Sequence, residues 1–170
     1  LKPKEKKVTV VDSVIEAPKQ RVVPSKEYVP DAKFTEITSQ AGIVFKHNNG
    51  ATGEKLLPES MGSGVAFFDF DVDGDQDLLF INGTWWPWDI NKKPDLKPTT
   101  AALYRNDGNG VFEDVTVGSG LDVSFYGMGV AIGDYDNDGL PDVYCTAVGS
   151  NRIYRNLGDG KFTDTTVTAG

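Results

Sequence analysis

Asp69-Phe70-Asp71-Val72-Asp73-Gly74-Asp75-Gln76-Asp77 sets five carboxylates on alternate residues over nine positions. Like charges so close repel one another unless a counter-ion sits among them. Ca²⁺ answers that need, because it takes roughly six to eight oxygen ligands from a flexible loop. Asp69, Asp71 and Asp73 stand at loop positions 1, 3 and 5, where side chains converge on one point. Gly74 turns the chain at position 6, Asp75 offers its backbone carbonyl at position 7, and Asp77 closes the loop at position 9.

The same register returns at Asp134-Tyr135-Asp136-Asn137-Asp138-Gly139-Leu140-Pro141-Asp142. Here Asp134, Asp136, Asp138 and Asp142 carry the carboxylates, and Leu140 stands at position 7, where only a carbonyl is required. Two Ca²⁺ sites are therefore expected. Neither is an EF-hand, since position 12 holds Phe80 and Cys145 instead of Glu. An Asp-rich turn closed by its own backbone bonds would explain one such loop. Two loops with one spacing favour the metal.

Outward from the loops the chain repeats itself. Gly64–Asp77 matches Gly129–Asp142 at an offset of 65, and Leu103–Phe112 matches Ile153–Phe162 at an offset of 50. The difference implies an insertion at 84–98. Each repeat reads as four short strands, expected at 64–68, 77–81, 101–106 and 111–116, then at 129–133, 142–147, 152–156 and 161–166. Phe34, Glu36, Thr38 and Gly42 match Phe112, Asp114, Thr116 and Gly120, a partial third copy that supplies one extra strand. Four-stranded units recurring at about fifty residues indicate an all-β fold of propeller blades. The domain organisation expected is an extended arm over 1–33, then blades over 34–170, with repeat 1 at about 61–120 and repeat 2 at about 126–170.

Composition bounds the function. Residues 1–33 carry eight Lys/Arg against five Asp/Glu, and residues 34–170 carry nine against twenty. An acidic body argues against nucleic acid, which demands basic surface. No apolar run approaches the roughly eighteen residues of a membrane span. No leader is visible, and a chain opening on Leu1 is expected to have lost one or never carried it. The single Cys145 lies in a strand pattern and reads as a buried small hydrophobe.

Other residues invite weighing. Trp85, Trp86 and Trp88 in the insertion are either a platform for a sugar or protein partner, or a flap over their own blade. His47, the only histidine, has no Ser or Asp partner in a catalytic spacing and reads as a hydrogen-bonding loop residue, so no enzyme is expected. Arg105 and Arg155 occupy matching positions and are expected to pair with Asp114 and Asp164. Asn82-Gly83-Thr84 is a glycosylation sequon.

The runs Gly62–Asp75 and Gly127–Gly139 resemble the FG-GAP (VCBS-type) repeats of the integrin α-chain propeller. The stretches Leu103-Tyr104-Arg105-Asn106 to Thr116 and Ile153-Tyr154-Arg155-Asn156 to Thr166, with the lead-in Gly42–Gly50 and Leu57-Pro58-Glu59, resemble the ASPIC/UnbV group related to cartilage acidic protein. The resemblance implies a seven-bladed propeller, secreted, periplasmic or in the cell envelope, used for adhesion or assembly. Two blades leave edges and an apolar face open. The chain is accordingly expected to be a fragment, or an arc completed by partners. The expected function is a calcium-binding protein-interaction module. Glycan binding through Trp85, Trp86 and Trp88, or a non-catalytic place in a larger envelope enzyme or electron-transfer complex, are the other readings.

Overall fold

Among the described residues eight strands form. The structure, a computed structural model, describes residues 32–88, 95 and 97–169. The chain divides into two compact units, 1–35 and 36–170. The expected arm at 1–33 lies almost entirely outside the described residues, as does part of the insertion at 84–98.

Strands β1 (Val65–Phe68), β2 (Asp77–Phe80), β3 (Ala102–Asn106) and β4 (Phe112–Asp114) make one antiparallel sheet in chain order. Strands β5 (Gly127–Gly133), β6 (Asp142–Ala147), β7 (Arg152–Asn156) and β8 (Phe162–Asp164) make the second. The fold is thus all-β, as expected, and the register repeats: Tyr104 faces Asp114 and Arg105 faces Glu113, while Tyr154 faces Asp164 and Arg155 faces Thr163. The outer strands stop two residues short of the expected bounds. Thr116 and Thr166 turn out of the ladder because their N–H and hydroxyl groups both donate to Asp114 Oδ1 and Asp164 Oδ1.

Alternation along the strands gives each sheet two apolar faces. Phe68, Leu79 and Leu103 of the first sheet, with Phe70, meet Val143, Cys145, Tyr154 and Phe162 of the second in one buried cluster. The other face of the first sheet, with Leu78, Ala102 and Tyr104, is covered by Ile43 and Phe45 from the lead-in. Phe45 stacks on Phe80 with ring centroids 4.6 Å apart. On the far face of the second sheet Tyr144 and Tyr135 remain 41% and 45% exposed, although their counterparts Leu79 and Phe70 are buried. The innermost strands run so close that a Cβ on Gly64 would fall 2.8 Å from the Val130 nitrogen, which explains glycine there.

The extra strand expected from Phe34 to Thr38 does not form. Glu36 Oε1 accepts the Thr38 N–H at 2.7 Å ahead of a turn closed by Ala41 N–H to Ile37 O, the counterpart of the turn that follows β4. A strand needs ladder partners, and this segment pairs with no strand among the described residues. What this partial copy retains is its end. Ala41 O accepts from Phe112 N–H at 2.8 Å, as Ser119 O accepts from Phe162 N–H at 2.7 Å. The link following each Glu/Asp-x-Thr turn therefore clips onto the outer strand of the next sheet. At Gly120, with φ +90°, a side chain would collide with the Phe162 carbonyl.

Candidate metal centres

Both acidic loops join the first two strands of their sheets and close in the same way. Asp69 accepts the N–H groups of Asp73 and Gly74 at 3.0 and 2.9 Å, and Asp134 accepts those of Asp138 and Gly139 at the same distances. Gly74 and Gly139 take φ +98° and +91°, as expected at position 6. Position 4 is left-handed too, at Val72 (φ +60°) and Asn137 (φ +58°). For Asn137 that conformation is easy, whereas for a β-branched Val72 it is strained. The strain indicates that the loop's bonds hold the backbone against its own preference. Sequence spacing gave no sign of it.

Asp77 and Asp142 are the buried anchors. Asp77 accepts from Phe70 N–H at 3.0 Å and Asn106 N–H at 2.8 Å; Asp142 accepts from Tyr135 N–H at 3.0 Å and Asn156 N–H at 2.7 Å. Each carboxylate thereby ties its loop to the third strand of its sheet. Burial still holds the Asp77 carboxyl above its usual range, against the pull of these two N–H groups.

The structure gathers Asp69, Asp71 and Asp77 in the first loop, each with a carboxylate oxygen within 4.8 Å of the others. Asp73 stands beside them with Oδ1 accepting the Asp75 N–H at 2.9 Å. The Asp75 side chain lies against Gly108, which leaves its carbonyl as the group available to the loop. In the second loop Asp134, Asp136 and Asp138 gather within the same limit; Asp142 is not in that group and, like Asp77, accepts a backbone N–H at each oxygen. Leu140 donates its N–H to Asp138 Oδ1 at 3.0 Å.

The donors of the first loop fit a hard cation. Asp71 Oδ1 is buried and has no hydrogen-bond partner. Burial first, then repulsion from Asp73 and Asp69, pushes the Asp71 carboxyl up. A buried, unpartnered anionic oxygen is costly, and a cation among these carboxylates removes that cost. Bound there, Ca²⁺ supplies charge neutralisation and a cross-link between the strands flanking the loop.

The two loops differ in what surrounds them. Arg155 pairs with Asp136 and, through Nη2, with Asp138 at 2.7 Å. The N–H of Leu140 and this guanidinium hold the Asp138 carboxyl below its usual range. Arg105, at the matching position, pairs instead with Glu113 at 2.6 Å. The expected pairs Arg105–Asp114 and Arg155–Asp164 are therefore absent. Register explains it, since Glu113 lies directly across from Arg105, whereas Asp114 lies across from Tyr104 and bonds Thr116. Asp164 pairs with Arg152 at 3.2 Å.

Asn106 and Asn156 share one place in the two repeats, which suggests a structural job, yet their bonds differ. Wholly buried, Asn156 donates through Nδ2 to Phe70 O at 2.8 Å in the first loop and to Pro141 O at 3.1 Å in the second. Its counterpart Asn106 donates to Gln76 O at 3.0 Å, within its own sheet.

The remaining candidates sort as follows. Trp86 is buried between Trp88 and Tyr126, stacked on them at 5.1 and 4.5 Å, and donates Nε1–H to Glu59 at 2.9 Å. It belongs to the flap reading. Trp85 is half-buried, and Trp88 is the exposed outer ring of the stack. The exposed His47 ring makes no hydrogen bond among the described residues, contrary to expectation; Asn48 and Asn49 do that work, donating to Thr99 Oγ1 and Glu59 O. Burial pushes the Cys145 thiol up to about 12, which leaves it inert as a nucleophile. Asn82 of the sequon is buried, with its amide engaged by Asn48 N–H and Lys46 O, so the folded chain does not offer it for glycosylation. No helix among the described residues is long and apolar enough to cross a membrane.

Two stacked four-stranded sheets, each with an acidic hairpin between its first two strands, define a propeller-type repeat protein. Residues 95–145 and 134–170 match the family described as the FG-GAP-like repeat, which supports an FG-GAP repeat protein. The first acidic loop precedes the matched residues and closes with the same hydrogen bonds as the second. A comparison with curated proteins gave no match. FG-GAP-like repeats are consistent with an extracellular protein-interaction module.

Proposed function

We propose that this chain is a calcium-stabilised run of propeller blades, extracellular, periplasmic or on the cell envelope, that mediates protein–protein assembly without catalysing a reaction. Within the FG-GAP repeats we assign it to the ASPIC/UnbV group on the Tyr-Arg-Asn stretches at 104–106 and 154–156. The observation that carries the calcium reading is the buried, unpartnered Asp71 oxygen among Asp69, Asp73 and Asp77. Asp69, Asp71, Asp73, Asp77 and the Asp75 carbonyl hold one ion; Asp134, Asp136, Asp138, Asp142 and the Leu140 carbonyl hold the other. The partner surface is the open face of the second sheet, with Tyr135, Tyr144 and Ile153. Its counterpart on the first sheet is buried against a blade, so a further blade, in a longer chain or a partner, fits it.

The test is thermal unfolding of the full chain with chelator and with millimolar Ca²⁺. A ligand at a hundredfold excess over its Kd adds about 2.7 kcal/mol, so Ca²⁺ should raise Tm by roughly 5–10 °C. An unchanged Tm refutes the calcium reading. The exposed Trp88 ring favours a second reading, glycan binding. In that case Trp88→Ala abolishes binding on a glycan array and leaves Tm in place.

A further inference from the structure

We propose that Arg155 is a resident counter-cation that makes the two acidic loops unequal. On this view, which rests on the calcium reading, the first loop takes a divalent cation directly. The second takes one only in competition with the guanidinium that already bridges Asp136 and Asp138.

One position decides the difference. Arg105 and Arg155 sit at equivalent places on β3 and β7, and each lies across from the middle residue of the outer strand. In the first sheet that residue is Glu113, which holds Arg105 in an ion pair at 2.6 Å, so that its charge reaches Asp71 without pairing with any loop carboxylate. The same place in the second sheet is Thr163, which carries no charge. Arg155 turns to the nearest carboxylates, those of the loop. A further observation agrees. An unpartnered buried carboxylate oxygen occurs in the first loop only, among the described residues. The second loop therefore carries its own counter-charge, and the first leaves a carboxylate oxygen unpartnered.

The guanidinium is part-exposed, so each of its two ion pairs is modest; together they should weaken cation binding at the second loop roughly tenfold. Calcium calorimetry on the full chain reads this directly. Asp71→Asn isolates the second loop. On that background Arg155→Ala should tighten binding about tenfold. Thr163→Glu should do the same with the arginine still present, by giving it the cross-strand partner that Arg105 has. Conversely, Glu113→Thr on an Asp136→Asn background should free Arg105 and weaken the first loop. In chelator, Arg155→Ala should lower Tm, and Ca²⁺ should restore it.

Unchanged affinity of the second loop in both Arg155→Ala and Thr163→Glu, with the first loop still binding, overturns the proposal and leaves the calcium reading standing. No calcium uptake by either loop in any variant overturns both.

Discussion

Asn156→Ala should cost far more than the equivalent Asn106→Ala, and the difference measures how strongly one blade holds the next. Asn156 makes three side-chain bonds with no exposure: Nδ2 to Phe70 O and Pro141 O, and Oδ1 from Gly158 N–H. Each is worth about 1 kcal/mol net, and leaving a buried carbonyl without a donor adds about 1 kcal/mol more, for a loss of about 3–4 kcal/mol. Asn106 makes two such bonds, to Gln76 O and from Gly108 N–H, at a half-buried position where water replaces them. Its loss should be about 1 kcal/mol.

Urea unfolding of the full chain with all three proteins side by side gives the comparison. An unchanged slope with a lower midpoint marks lost stability, and a reduced slope marks a first sheet that has come loose from the second. Equal losses at Asn106 and Asn156 would refute the reasoning, because they would mean that the bond to Phe70 contributes nothing. The expected result matters for function. Phe70 lies between Asp69 and Asp71, its ring meets Phe162 at 6.4 Å, and its carbonyl is held by Asn156. The first acidic loop is thus part of the junction between the sheets.

Trp86→Ala should destabilise by about 3 kcal/mol, since it removes the middle ring of a stack and the donor to Glu59. Trp88→Ala should cost less than about 1 kcal/mol, because its ring is exposed; Tm values in the reverse order would refute the flap reading. Acid should destabilise the chain partly through Asp164. The Thr166 hydroxyl, its N–H and Arg152 hold this carboxyl below its ordinary value. A folded-state pKa below the unfolded one stabilises above the unfolded value and is lost as pH falls through the folded one, here below about pH 4. Asp164→Asn should flatten that limb of a Tm-against-pH curve, and an unaltered limb would count against it.

Local physics made much of this legible in the chain. A nine-residue acidic register, glycines at turns and alternating apolar residues act within one hairpin, so both loops and all eight strands could be read from spacing. The strand ends at Thr116 and Thr166 were missed because an Asp-x-Thr side-chain turn competes with the ladder, and propensity does not register that competition. Phe34–Thr38 failed as a strand for want of a ladder partner among the described residues, since the matching turn at Asp114 follows a strand that does form. Asn156 could not be told from Asn106, because their sequence contexts match and only the neighbouring sheet distinguishes them.

The arginines carry the argument one step further. Arg105 and Arg155 stand in the same four-residue motif, yet one pairs across its own sheet and the other enters an acidic loop. The cause is visible in the sequence only if the repeats are aligned and their differences read, where Glu113 meets Thr163. What two repeats share fixes the fold, since both must build the same sheet. Where they differ, loops of one register acquire different surroundings. The cross-strand residue, eight positions beyond its arginine in each repeat, differs between Glu113 and Thr163 just where the arginine's carboxylate partner changes.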